Sequence, residues 1–338
     1  MRTCLQKTFE GGRKVKNAVT ECAKKYDADV ITFTSADSFS KDSAIFKIFP
    51  DVKTVIGLGF RVLRGMYRGV EEGTVYYQYT TMGVENLEET VMPFAMLQVS
   101  NVIEREGFMA LPQRRHQTIM REENSTNPEV DYTDIFRGIT AENQLDFEET
   151  AIICGIGEKG FGGRVLNKEY GPFIRYCFIL TDAEIEPTEK KTYNLCDNCK
   201  ECVKACPGNA IKENGETDPW RCAVYYNGAN GSKNPFMPPD AFMNFENRMD
   251  IIKGIAEFDS EEAKKILDNI YFYPPAKHFY RTSICGRACD RACYIHLEEK
   301  GLLSKKFNKK FRNGEDWELS TKQFETLKRE KEWKFYEK

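Results

Sequence analysis

Cys196-Asp197-Asn198-Cys199-Lys200-Glu201-Cys202-Val203-Lys204-Ala205-Cys206-Pro207 decides how this chain is read. Its spacing is C-x2-C-x2-C-x3-C-P. Three cysteines two residues apart can put three thiolates on three irons of one [4Fe-4S] cubane, and the fourth, before proline, is placed to ligate a second cubane. The motif therefore asks for a second cysteine set elsewhere. Cys222 follows, then Cys285, Cys289 and Cys293. Together these are the eight thiolates that two cubanes need. Zinc also takes C-x2-C pairs, but it does not account for three evenly spaced cysteines with a fourth ahead of proline.

The rest of the composition bounds the answer. The chain has 338 residues, 41% apolar, enough for about two ordinary domains. Its net charge of −3 advertises neither a nucleic acid nor a membrane surface. No apolar run approaches the ~18 residues of a membrane span. Twelve cysteines follow an N-terminus with no apolar signal core and no twin-arginine pair, which implies a reducing compartment and a cytoplasmic protein. Cys22, Cys154 and Cys177 lie in apolar segments and read as small core residues; Cys4 has no assigned role.

Outward from the motif, the pattern alternates helices and strands. Residues 13–25 carry Val15, Ala18, Val19, Cys22 and Ala23 at helical spacing. Residues 29–34 and 52–60 read as strands, the second largely buried. Residues 86–106 read as an amphipathic helix, Phe108–Leu111 as a strand, 113–140 as a long loop and 146–154 as a helix. Phe173–Leu180 is a strand by its β-branched and aromatic content. Thr74–Thr80 reads as a strand that puts Tyr77 and Tyr79 on one face. The expected fold class is α/β (α+β): a first domain over residues 1–190, and a ferredoxin-like cluster domain over 191–300. An insert at 223–284 interrupts the latter and contains a helix over 260–271. A charged helical tail spans 301–338. From Lys305 it holds eleven Lys/Arg against seven Asp/Glu and is read as a solvated helix packed by Trp317, Phe324 and Trp333.

Gly155-Ile-Gly157-Glu-Lys-Gly160 matches the dinucleotide fingerprint, yet the segment before it looks helical and no clear helix follows. A glycine-rich turn that lets backbone approach another large cofactor is the better reading. His116, His278 and His296 are too few for a histidine-rich metal site, and none lies in Asp-x-His-x-x-Gly, the arrangement that offers a corrinoid its lower ligand.

The ordered set of motifs resembles the cobalamin-dependent iron–sulfur reductases, the group of epoxyqueuosine reductases and reductive dehalogenases. It comprises Phe49-Pro50 with the strand after it, Ile103–Pro112, Ala151–Leu166, Tyr170–Asp182, the cysteine run and Trp220-Arg221-Cys222, spread over residues 25–300. The resemblance implies a nitroreductase-like domain holding base-off cobalamin, followed by a two-[4Fe-4S] module. It implies one cluster on Cys196, Cys199, Cys202 and Cys293, and another on Cys206, Cys222, Cys285 and Cys289. Gly155, Gly157, Gly160, Gly163, Thr181 and Asp182 would lie toward the corrinoid. Glu142, Asp146, Tyr77 and Tyr79 are the candidate proton donors. The chain departs from the group in its C-x3-C-x3-C set, in the long insert, and in Thr140–Glu149, where the epoxyqueuosine reductases' acid motif is out of register. The expected partners are a low-potential donor (ferredoxin or flavodoxin) and a small-molecule substrate that loses oxygen or halogen; no helical-repeat extension argues for tRNA. The competing expectations are an electron-transfer protein, or a reductive activator of another corrinoid protein without cobalamin of its own.

Overall fold

Two strands of β-branched and aromatic residues build the centre of the first domain. The computed structural model describes residues 2–73, 75–115, 144–270 and 282–312, with side chains from residue 11 onward. Strands β1 (Val30–Ser35), β2 (Thr54–Arg61), β3 (Ala110–Gln113) and β6 (Ile174–Thr181) form one sheet in the order β1-β2-β6-β3, every pair antiparallel. The chain is thus a mixed helix-and-strand protein of the α+β kind.

The sheet is covered on both faces, and the period-2 alternation of a strand assigns each residue to one of them. Ile56, Leu58 and Phe60 of β2, with Cys177 and Ile179 of β6, meet helices α1 (Arg2–Lys25) and α2 (Met92–Arg105) through Val15, Val19, Met96, Val99 and Ile103. On the opposite face Val55, Tyr176, Phe178 and Leu180 meet helix α3 (Phe147–Ile153). There Gly57 and Gly59 make room for Ile156: a Cβ at Gly57 would stand 3.0 Å from its Cδ1.

Two expectations need correction. Thr74–Thr80 is no strand: Tyr76–Gln78 is α-helical, and wide π turns over 79–85 and 87–91 lead directly into α2. Tyr76 and Tyr79, three apart, are therefore the buried pair, and Tyr77 is half-buried. The second π turn has a local cause in Pro93, which has no N–H and whose ring collides with the i−4 carbonyl, that of Glu89, in an ordinary α-helix. Second, β3 runs through Pro112 instead of stopping before it. Among the described residues it is an edge strand, paired only with β6, a position where proline is tolerated. The helix expected over 260–271 is found at Ser260–Asp268, capped by Asp259.

The glycine run folds into a hairpin of β4 (Glu158–Gly160) and β5 (Arg164–Leu166). The cysteine module follows, with helices α4 (Glu201–Lys204), α5 (Pro219–Tyr226), α6 (Arg248–Lys253), α7 (Ser260–Asp268) and α8 (Ala288–Glu299). Helices α5 to α7 share their own core around Val224, Ile251, Ile252 and Ile266. The module joins the sheet domain through aromatic packing. Tyr79, Tyr67, Phe173 and Tyr294 stack in series at 4.6, 4.3 and 4.3 Å between centroids, and Phe311 closes the column edge-on. Among the described residues no helix is long and apolar enough to cross a membrane.

Candidate metal centres and the polar hollow beside them

The loop from Cys196 to Cys202 winds tightly because Asn198 and Lys200 adopt left-handed backbone angles, φ 58° and 60°. The side chain of Asp197 accepts from the Cys199 N–H at 3.2 Å and steadies the turn. Cys196, Cys199 and Cys202 then line one hollow of ≈ 350 Å³ together with Cys293 of α8. The β4–β5 hairpin forms its opposite wall. The Phe161 N–H donates to Cys196 Sγ at 3.3 Å. Glu158 of β4 accepts from the backbone N–H groups of Tyr193, Asn194 and Leu195, the last at 3.0 Å, and so clamps the strand entering the cysteine loop. The glycines serve this close approach: a Cβ at Gly157 would lie 2.6 Å from the Leu166 carbonyl oxygen.

The second group gathers from three stretches. Cys222 lies within Coulombic reach of Cys206 and Cys289, and Cys285 within reach of Cys222 and Cys289. Burial pushes the Cys222 and Cys285 thiols up to about 12, so taking a metal there requires proton release. Asp218 caps α5 by accepting from the Trp220 and Arg221 N–H groups. Buried Arg221 ties α5 to the Gly208 and Gly254 carbonyls at 2.9 and 3.2 Å. The Ala210 N–H donates to Cys206 Sγ at 3.2 Å.

One ion network stands between the groups. Asp290, 1% exposed, takes Arg164 on one oxygen at 2.9 Å and Arg287 on the other at 2.8 Å. Burial opposes its ionisation, but Arg287 and Arg164 outweigh it and hold the carboxyl below its usual range. Arg164 lies within Coulombic reach of Cys289 and Cys202, one cysteine from each group. Sequence reasoning missed this network, and no local pattern signals an ion pair between residues so far apart in the chain.

Arg287 also acts on the sheet domain and keeps 38% of its side-chain surface. Its charge acts on Tyr79, Cys222 and Cys289, and on Glu148 and Tyr176 of the sheet domain, where Glu88, Arg115 and Tyr176 line a polar hollow of ≈ 250 Å³. Arg115 pairs with Glu148 at 2.8 Å, and the Tyr176 hydroxyl donates to Glu148 at 3.3 Å. Arg175 is half-buried, pairs with Glu88 at 2.9 Å and donates to the Tyr79 hydroxyl at 2.7 Å. Burial raises the Tyr79 hydroxyl well above its usual range despite Arg175, so it stays protonated.

The remaining sequence candidates fall as follows. Asp146 is the N-cap of α3, accepting from the Glu149 N–H at 2.8 Å, and is committed to that helix. Thr181 ends β6, where its hydroxyl accepts from Ala183 N–H; Asp182 accepts from Met109 N–H at 2.8 Å. Gly155 ends α3 at φ 72°, and Gly160 and Gly163 belong to the hairpin. His296 bonds Asp197 at 2.8 Å on the rim of the first hollow. Glu142, His116, His278, most of the 113–140 loop and the tail's Trp317, Phe324 and Trp333 lie outside the described residues.

A family described as the 4Fe-4S binding domain matches residues 190–212. The tetrachloroethene reductive dehalogenase of Desulfitobacterium hafniense is 35% identical over 72 residues, 20% of this chain and 13% of that protein. The epoxyqueuosine reductase of Listeria monocytogenes is 32% identical over 72 residues, 21% of this chain and 19% of its own. These matches span less than a fifth of either relative. An epoxyqueuosine reductase structure with a modified tRNA stem loop aligns over 96% of this chain and 100% of its own, at 13% identity and TM-score 0.47. The resemblance to both groups is thus matched by relatives of both names, and the chain carries an iron–sulfur binding domain.

Proposed function

We propose that the chain is a cobalamin-dependent iron–sulfur reductase that removes oxygen or halogen from its substrate. One observation carries the reading: the charge of Arg287 reaches Cys222 and Cys289 of the second cysteine group, Tyr79 with its Arg175 partner, and Tyr176 in the wall of the polar hollow of the sheet domain. One [4Fe-4S] cluster would sit on Cys196, Cys199, Cys202 and Cys293, and another on Cys206, Cys222, Cys285 and Cys289. The donor sets fit, since each group offers four thiols and the first shares a single hollow. Cobalamin would occupy the polar hollow, against the domain of roughly the first 190 residues. The fit rests on polar side chains that keep exposed surface at or near that hollow: Arg115 at 31%, Glu148 at 43% and Arg287 at 38%.

Bound there, cobalamin would supply the low-potential chemistry that cleaves a carbon–oxygen or carbon–halogen bond, while the protein supplies orientation and electrostatics. Tyr79 holds its proton throughout the working pH range and is the candidate donor to the product. Arg175, on the Tyr79 oxygen, would stabilise the phenolate left behind. Positioned proton transfer of this kind contributes about 10²–10⁴-fold. Glu148 is ionised: burial opposes this, but Arg115 outweighs it and lowers the carboxyl. It therefore accepts from Tyr176 and orients that ring instead of donating a proton.

The test is metal content after anaerobic purification and reconstitution with cobalamin. About eight irons and one cobalt per chain support the reductase. Eight irons without retained cobalt refute it and favour an electron-transfer protein or a reductive activator. Tyr79→Phe should then lower substrate reduction about 10²-fold while leaving both metals bound.

A further inference from the structure

Residues 304–311 form a basic strap beside α8. Lys305, Lys306, Lys309 and Lys310 are all exposed, and Phe307 between them is 45% exposed. No carboxylate among the described residues pairs with Lys305, Lys306 or Lys310. In a chain of net charge −3 this is a local concentration of positive charge.

The strap is held firmly from beneath. Phe311, 3% exposed, packs edge-on against Phe173 and Tyr294 at 5.3 and 5.4 Å. Its N–H donates to Glu298 at 2.6 Å. At the other end the Ser304 N–H donates to the Lys168 carbonyl at 2.9 Å, and Arg64 donates to the Lys309 carbonyl at 3.0 Å. The guanidinium of Arg64 lies 4.1 Å from the Phe307 ring centre and 5.6 Å from that of Tyr294. Tyr294 follows Cys293 in α8, and Cys293 and Cys196 pack against the same apolar cluster. Continuous packing therefore joins the exposed Phe307 to the first cysteine group.

We propose that this strap docks an acidic one-electron carrier protein, with a flavin or iron–sulfur centre, and that electrons enter at the first cysteine group. The inference rests on the reading above. In each encounter the carrier is oxidised by one electron and the cluster on Cys196, Cys199, Cys202 and Cys293 is reduced by one. Lysines around an exposed aromatic give a charged rim to steer an acidic partner and an apolar centre to seat it. A polyanionic RNA would meet the same lysines, but it has no use for the packed connection from Phe307 to Cys293.

The experiment uses the full reconstituted chain and follows cluster reduction by stopped-flow absorbance. The donors are reduced flavodoxin and, separately, dithionite. Electrostatic steering is worth about 10–10³-fold in association rate and weakens with salt. Lys305→Glu/Lys306→Glu/Lys310→Glu should slow reduction by flavodoxin at least tenfold at low salt and flatten its salt dependence. Dithionite rates and cluster potentials should be unchanged. Phe307→Ala should slow the flavodoxin reaction while keeping the salt slope. Equal flavodoxin rates in wild type and triple variant overturn the proposal. So does a triple variant that loses binding of a tRNA stem loop but keeps its flavodoxin rate. Cluster reduction is read without cobalamin, so failure here is separate from failure of the proposed chemistry.

Discussion

The two cysteine groups use the same ligand chemistry in opposite surroundings. The first opens toward the surface, rimmed by exposed Asp197 and by His296 of α8, the helix to which the basic strap is bonded through Glu298. The second is gathered partly by α5 and α8, and Arg287 beside it reaches Tyr79. Potential follows solvent exposure, nearby charge and hydrogen bonds to sulfur, so clusters held at the two sites would not be equivalent carriers. On the proposed reading this asymmetry would give electron flow a direction, inward from the surface group to the group that Arg287 reaches. Arg164 and Asp290 lie between them and act on both.

The most drastic way to break the comparison is to remove ligands that cross between the stretches. Cys293→Ala should deplete the first cluster and Cys206→Ala the second, each dropping iron from about eight to about four per chain. Electron paramagnetic resonance on the reduced variants distinguishes which signal is lost. Loss of the same signal from both variants would refute the division into these two groups. Next is Asp290→Asn, which leaves Arg164 and Arg287 without their buried counter-charge. Removing one partner of a buried ion pair costs about 3–5 kcal/mol, so anaerobic denaturant unfolding should show a strong loss of stability. An unchanged midpoint would mean that water already screens the network.

Arg164→Gln sharpens the comparison instead of breaking it. It removes a cation that acts on Cys289 and Cys202, one from each group. Both cluster potentials should fall, by on the order of 60 mV, a tenfold change in a one-electron equilibrium. The larger drop identifies the cluster nearer the guanidinium. A redox titration with no shift at either cluster would show that the arginine serves Asp290 alone.

Much of the frame was legible in the chain, for reasons that differ by region. β1, β2 and β6 announce themselves because strands buried on both faces read as continuous apolar runs. The cysteine spacing asked for a second set because the fourth thiolate of that motif belongs to another cubane. Thr74–Thr80 misled because aromatic and β-branched residues favour strands only weakly, and the burial of Tyr76 and Tyr79 against the cysteine module overrules that preference. The glycine run pointed to close backbone approach, yet the hairpin's documented neighbour is the cysteine loop, through Glu158 and Phe161. The Arg164–Asp290 and Tyr79–Arg175 contacts join residues 126 and 96 positions apart, and such pairs leave no periodic trace in one sequence.

The smallest effect concerns the sheet-domain side of the hollow. Arg115 outweighs burial and holds Glu148 below the ordinary glutamate range. A carboxyl depressed in the folded state adds stability above its unfolded pKa of about 4.3 and loses it as pH falls through the lower folded value. Glu148→Gln should therefore destabilise the protein near neutrality and matter progressively less in acid. Because Glu148 is 43% exposed, solvent screens the pair and the difference should stay within ~1 kcal/mol. Thermal unfolding of both proteins from about pH 7 to about pH 3 checks the sign, with the two curves converging at the acid end. A constant gap across that range would assign the loss to the Tyr176 hydrogen bond and the packing of Arg115 on Phe147, not to the charge.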